Sequence, residues 1–308
     1  MKKIKDIKNL KGKRVLVRVD WNVPIENGQV LDEFRIKKSL PTLEFLKSRG
    51  AKLIIATHLE PTTQSMEPIK KYLPDGAELL ENLRLNHGEE ANDEEFAKFL
   101  GAKADIYVNE AFSVSHRQHA SIVGVPKFLP SYAGLQFEKE VQELSKSFNP
   151  PKPFFLILGG AKFETKLPLI EKLLPRADFV FIGGGMAKAT VLTPLASNPK
   201  VLFCVGDIAA IDANSETIAL IKEKVDISKF ILWNGPLGNY ENGYTEGTLA
   251  LAKILAESNK EVIVGGGDTL AAIEKLKVED KFSFISTGGG AMLDFLANGT
   301  LPCIKMLE

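Results

Sequence analysis

Arg35, Arg84 and Arg117, with His58 and the neighbouring Asp20 and Asn22, lie at or just past apolar runs in the first half of this sequence. Arginine pairs bidentately with carboxylate and phosphate, so such a set suits capture of a small polyanion. The second half gathers glycine and lysine instead. In PFFLILGGAKFETK, residues 153–166, an apolar run closes on Gly159 and Gly160 and sets Lys162 four residues before Lys166. A glycine corner opening a helix leaves backbone N–H groups unpaired beside the positive end of the helix dipole, an arrangement that suits phosphate. Taken singly, each residue has a plainer reading: a solvated lysine, a surface ion pair, a strand-end histidine, or a turn shaped by Asp20 and Asn22 before Pro24. Only their joint occurrence at the ends of consecutive runs points to a site.

The runs themselves read as strands. Phe154 to Leu158 is short, apolar and bounded by Pro153 and Gly159, and the following Leu167, Ile170, Leu173 and Leu174 have helical spacing, which predicts a helix from about Lys162 to Leu174 with Lys162 and Lys166 on one side of it. FVFIGGGM (179–186), EVIVGGGDT (261–269) and FSFISTGGGAM (282–292) repeat the design, and ILWNGPLG (231–238) and VLFCVGD (201–207) are less glycine-rich versions. Amphipathic stretches such as SETIALIKEKV (215–225) and TLALAKILAES (248–258) separate them. In the first half RVLVRVDWN (14–22), KLIIATH (52–58) and DIYVNEAF (105–112) end on Asp20 and Asn22, on His58, and on Asn109 and Glu110. Strand, corner and helix in alternation predict an α/β fold in which parallel sheets are flanked by helices. Right-handed crossovers then place the corners of each sheet at one edge, where ligands bind.

At 308 residues the chain exceeds the usual size of a single core, so two domains are expected. The formal net charge is zero, which gives no global attraction to nucleic acid or to an anionic membrane surface. No apolar run approaches spanning length, and the basic start MKKIKDIKNLKGKR lacks an apolar core of its own, so a cytoplasmic protein is expected. Cys204 and Cys303 have no metal-ligand spacing and read as buried free thiols. LPSYAGLQFEKEVQELSKSFNPPKP carries Leu135, Val141 and Leu144 at near-helical spacing and then a proline stop, which predicts one helix joining the halves, at about 133–149. The expected division is 1–149, 150–300 and a tail, 301–308, returning toward the N-terminal domain.

Nine strings occur in order: VRVDWNVP, LDEFRI, ENLR, NEAFSVSHRQHAS, GGAK with a lysine four on, IGGGMA, WNGPLG, GGGDT and STGGGA. Together they span nearly the whole chain, and the sequence so marked resembles the phosphoglycerate kinase family. The resemblance implies two Rossmann-like domains that close on each other about a hinge helix, a monomer, and reversible, magnesium-dependent phosphoryl transfer between 1,3-bisphosphoglycerate and ADP, giving 3-phosphoglycerate and ATP in glycolysis. By that resemblance Asp20, Asn22, Arg35, His58, Arg84 and Arg117 bind the glycerate substrate, with Arg84 and Arg117 on the non-reacting phosphate. Lys162, Lys166, Gly183, Gly184, Gly235, Leu237, Glu241, Gly266, Asp268 and Thr269 form the nucleotide site, with Asp268 the magnesium contact and Glu241 the ribose contact. Arg35, Lys162, Gly266 and Gly289 make up the implied catalytic set.

The sequence also departs from the family pattern. Where the family reads HLGRP this chain reads HLEPTT, so Glu60 and Pro61 stand where an arginine is expected. Losing one charged contact of this kind implies glycerate binding weaker by about 1.5–3 kcal/mol. The chain is shorter than the family norm between His58 and Glu81, between Met186 and Val201, and near Asp212 to Ser215, the last of these bordering the expected adenine pocket. These departures motivate an alternative, a catalytically impaired nucleotide- or phosphate-binding protein on the same scaffold. A dinucleotide-dependent dehydrogenase would need G-x-G-x-x-G, which none of the triple glycines completes.

Overall fold

A computed structural model describes residues 1–308 and divides them into two compact units, Met1–Val141 with Thr300–Glu308, and Gln142–Gly299. In the first unit a five-stranded parallel sheet runs in the spatial order Glu78–Leu79, Lys52–Ala56, Arg14–Arg18, Ile106–Asn109, Ser131–Ala133. By chain order that is 3-2-1-4-5. Alternate residues of the central strand feed different cores: Val15 and Val17 pack with Leu43, Leu46 and Trp21, whereas Leu16 packs with Ile54, Leu83 and Tyr107. Apolar matter on both faces is what a parallel sheet requires and why these strands read as continuous apolar runs. The final helix, Pro302–Met306, belongs to this unit: Asn109 Nδ2 lies 2.9 Å from Cys303 Sγ, and Lys2 N–H donates to Leu307 O at 2.7 Å.

The second unit holds a six-stranded parallel sheet ordered Val201–Leu202, Phe179–Ile182, Phe154–Leu158, Phe230–Asn234, Glu261–Gly265, Phe284–Ile285. Its chain order, 3-2-1-4-5-6, is that of the dinucleotide-binding fold. Every residue of Phe154–Leu158 and of Phe230–Asn234, the two strands flanking the reversal of strand order, is buried. Helices Ser215–Ile227 and Glu246–Glu257 cover it where amphipathic spacing predicts them. Asn214 caps the first, its side chain accepting from Thr217 N–H.

The joining segment is helical over 135–148, two residues shorter at its start than the spacing predicts. Ser131–Ala133 is an edge strand, and the α-helix that follows, Leu135–Ser145, tightens into a 3₁₀ turn over Lys146–Phe148 before the prolines. Glu110 explains the abrupt start: its carboxylate accepts from the N–H groups of Gln136 and Phe137, two of the donors that a helix N-terminus leaves open.

Candidate active site

Each unit has its chemistry at the switch point, where the order of strands reverses. In the first unit the corner after Arg14–Arg18 is pinned by Trp21, whose indole N–H donates to Ser39 Oγ at 2.8 Å and whose backbone N–H donates to Thr57 Oγ1 at 2.9 Å. Asp20 and Asn22, on either side of Trp21, are thereby aimed at the strand ends. Arg35, in the first turn of helix Phe34–Ser48, reaches back to Asp20 Oδ2 at 3.1 Å and to Asn22 O at 3.3 Å. Ser113 also donates to Asp20. His58, from the end of Lys52–Ala56, lies 3.9 Å from the same carboxylate and accepts from Arg18 Nη2 at 3.2 Å, which leaves its Nε2 as the protonated nitrogen.

Arg18 is fully buried and did not stand out in the sequence, because a strand-interior arginine reads as an outward-facing surface residue. It donates Nε–H to Ser121 Oγ at 2.9 Å, and Ser121 in turn donates to the buried Glu89. Hydrogen bonds thus link Glu89, Ser121, Arg18 and His58, and a second set joins Arg35 and Ser113 to Asp20, whose carboxylate lies beside the His58 ring. Arg117 is exposed and makes no ion pair. The Arg84 side chain is nearly buried and pairs with Glu60, at 3.1 Å, and with Glu90.

This network fixes charge states. Burial would raise the Asp20 carboxyl, but Arg35, the Ser113 hydroxyl and Arg18 hold it below its ordinary value. Burial, reinforced by Arg18, pushes His58 down to about 3. Burial with Arg84 and Arg117 pushes His119 down to about 4. Both histidines are therefore neutral in the folded chain at neutral pH. Below about 6.5 the unfolded chain takes up two protons that the folded chain refuses, so stability is present above that pH and lost as pH falls toward 4. Glu110 opposes them, since burial raises its carboxyl to about 7 and its contribution is lost as pH rises through that value. Two groups outweigh one, and Asp20 acts with the histidines. Urea unfolding at pH 4.5 and 6.5 is expected to give the lower stability at 4.5; equal or reversed values would contradict these assignments.

In the second unit a cavity of about 520 Å³ opens between the corners after Phe154–Leu158 and Phe230–Asn234. Gly160, Lys162, Lys166, Gly235, Glu241, Gly266 and Asp268 line it, joined by Ile211, Pro236, Tyr240 and Leu293, which sequence spacing did not single out. Trp233 holds its floor by donating to Gly235 O at 2.9 Å. Gly235, at φ +94°, has Gly159 O 2.5 Å from where a Cβ would sit, so both conformation and space demand glycine. Gly159 itself is a glycine because the Pro236 carbonyl oxygen lies 2.0 Å from its notional Cβ. The bare backbone there admits a neighbouring loop: Gly159 N–H donates to Asn234 O and Gly160 N–H to Pro236 O, so these two donors are already engaged.

The two lysines differ more than their spacing predicts. Lys162 is the exposed N-cap residue of helix Phe163–Leu173, with ψ 88°, and so lies off the helical path. Lys166 is on the buried face, its ammonium donating to Gly159 O and Asn234 O, and burial lowers it to about 8 against the opposing pull of Asp268. Asp268, in the first turn of helix Gly267–Leu276, is raised by burial and by Glu241. Gly183, Gly184, Leu237 and Thr269 lie behind the cavity wall rather than on it. Thr269 Oγ1 accepts from Gly235 N–H at 3.1 Å, and Leu237 N–H donates to Thr248 Oγ1 at 3.0 Å. Gly289, at φ +46°, starts helix Gly290–Asn298 outside the cavity lining.

A family model described as phosphoglycerate kinase matches residues 4–75, 61–196 and 199–299. The chain belongs to the phosphoglycerate kinase family. It is 37% identical to the phosphoglycerate kinase of Dictyoglomus turgidum over 97% of this chain and 96% of that relative. Among solved structures it is similar to phosphoglycerate kinase from Coxiella burnetii, with TM-score 0.85 and 31% identity over 99% of this chain and 98% of that one. It is also similar to phosphoglycerate kinase from Pyrococcus horikoshii OT3, with TM-score 0.86 and 26% identity over 100% and 98%. The two parallel sheets flanked by helices are thus the fold of solved phosphoglycerate kinases. The alignment with the Dictyoglomus turgidum protein runs over 383 residues, more than the 308 of this chain, so that phosphoglycerate kinase has internal segments absent here.

Proposed function

We propose that this chain catalyses reversible phosphoryl transfer between 1,3-bisphosphoglycerate and ADP, giving 3-phosphoglycerate and ATP. The observation that carries the reading is that two switch-point corners on one chain divide the chemistry. One sets Arg35 beside Asp20 and a neutral His58, and the other opens a cavity lined by glycine corners, Lys162, Lys166 and Asp268.

In this reading Asp20, Asn22 and His58 orient the glycerate, and Arg84 and Arg117 receive its non-reacting phosphate. Arg35, whose guanidinium is anchored on Asp20, neutralises charge on the group in transit. Lys162, exposed and unpaired at the mouth of the cavity, follows that group across, while Lys166 holds the corner that shapes the nucleotide site. Gly235 and Gly266 allow close approach of the phosphates, Gly183, Gly184, Leu237 and Thr269 support that wall, Glu241 takes the ribose, and Gly289 starts a helix whose N-terminus favours negative charge. Phosphoryl transfer needs alignment and charge neutralisation rather than a general base, because the acceptor oxygen is already an anion.

The donor set fits magnesium. No cluster of three His, Cys, Asp or Glu side chains occurs, and Asp268 with Glu241 nearby matches an ion that takes one or two carboxylates and otherwise phosphate and water oxygens. Asp268 would hold it, and it would neutralise charge on the nucleotide phosphates.

Substrates carried on separate units must be brought together by closure, with the Leu135–Ser145 helix as the connecting element, and closure would also keep water from the acyl phosphate. The family reading implies a cytoplasmic, monomeric glycolytic enzyme; no helix is long and apolar enough to cross a membrane. A coupled assay for ATP formation from 1,3-bisphosphoglycerate, ADP and magnesium tests the proposal. Binding of both substrates without turnover would instead favour the impaired scaffold.

A further inference from the structure

Arg84 is an unusual anion receptor, because part of it is already occupied by the chain's own carboxylates. Its side chain is only 5% exposed, and Nε and Nη2 are buried with no partner, whereas Nη1 pairs with Glu60 Oε1 at 3.1 Å and with Glu90. A buried guanidinium with two donors left open is costly unless an anion completes it.

The Glu60 contact is built in by the backbone. Asn82 accepts from both Leu59 N–H, at 3.2 Å, and Arg84 N–H, at 3.1 Å, and donates to Leu59 O at 2.8 Å, so one amide clamps the two segments together. Glu60 N–H itself donates to Asn22 Oδ1 at 2.9 Å, which ties the residue to the corner proposed to bind the glycerate. Glu60 is about half exposed, and its carboxylate therefore stands at the entrance to Arg84 rather than beneath it.

We propose that Glu60 is an affinity-setting residue for the glycerate substrate, an internal anion that opposes the non-reacting phosphate at Arg84. The inference rests on the kinase reading above. A phosphate that gains the buried, unpaired Nε and Nη2 edge meets a carboxylate of like charge across the same guanidinium, and one taking Nη1 has to displace Glu60 as well as Glu90. Either route penalises binding of the glycerate, and no residue that lines the nucleotide cavity takes part. Glu60 thus acts through Arg84, not on the reacting atoms.

The test uses the intact chain and compares wild type with Glu60→Gln and Glu60→Ala. Steady-state KM values for 3-phosphoglycerate and for ATP would be measured, together with the calorimetric Kd for 3-phosphoglycerate and inhibition by sulfate. Removing the charge is expected to lower the 3-phosphoglycerate KM and Kd about tenfold and to tighten sulfate inhibition in parallel, with the ATP KM unmoved. An unchanged or raised Kd in both variants, with unaltered thermal unfolding, would overturn the proposal and leave Glu60 as a structural ion pair. Absence of turnover in the wild type would count against the kinase reading, and the calorimetric comparison would still decide the role of Glu60.

Discussion

Lys162→Ala is expected to lower kcat by about two to three orders of magnitude, the effect of removing one preorganised charge from a developing transition state. Its thermal unfolding should match wild type, because Lys162 is exposed, lies outside the helix and makes no ion pair. Lys166→Ala should show the opposite balance. Its ammonium is buried against the carbonyls of Gly159 and Asn234, and because Asn234 O keeps the Gly159 N–H, truncation leaves the Gly159 carbonyl unsatisfied at the corner and should cost about 1–3 kcal/mol of stability. Steady-state rates and urea unfolding of the two variants check the contrast. Equal rate losses with equal destabilisation would show that the lysines are not divided between chemistry and support.

Arg35→Ala is expected to reduce kcat by about a thousandfold, within the range found when a guanidinium that neutralises a phosphoryl group in transit is absent. Unlike Lys162, it should not be silent in stability. Arg35 holds Asp20, which is only 6% exposed, and without it that carboxylate keeps Ser113 and His58 but loses its only close cation. A stability loss of about 1–2 kcal/mol is expected, discounted because the arginine itself is partly exposed. The sequence alone leads one to expect the rate to suffer far more than the fold at both Arg35 and Lys162, and the Asp20 pair limits that expectation for Arg35. Arg35→Lys should recover stability better than rate, since a lysine supplies charge but not the planar fork. Rates within tenfold of wild type for Arg35→Ala would remove this residue from the transfer step.

Much of the architecture was legible because it is local. The run Phe154 to Leu158 is apolar because both faces of a parallel strand are covered, and the helix after it keeps the spacing of a single buried face, observed at Phe163, Lys166, Leu169, Ile170 and Leu173. Residues just past such strands, Asp20, His58, Lys162 and Gly235, were marked by type because corners have few reasons to combine charge with glycine. The edge strand Ser131–Ala133 was missed, since three residues carry too little pattern to tell them from the start of a helix.

The sequence by itself determined the alternation of strands and helices, the corners where chemistry belongs and the family pattern that runs through them, because each of these is written within a few consecutive residues. Only the tertiary structure decided which corners share a crevice, that Arg18 is buried in the network of His58, that Gly159 is bare for the Pro236 loop, and that Glu60 meets Arg84. Those outcomes depend on strand order and on side chains dozens of residues apart, and contacts of that range leave no periodicity in the chain.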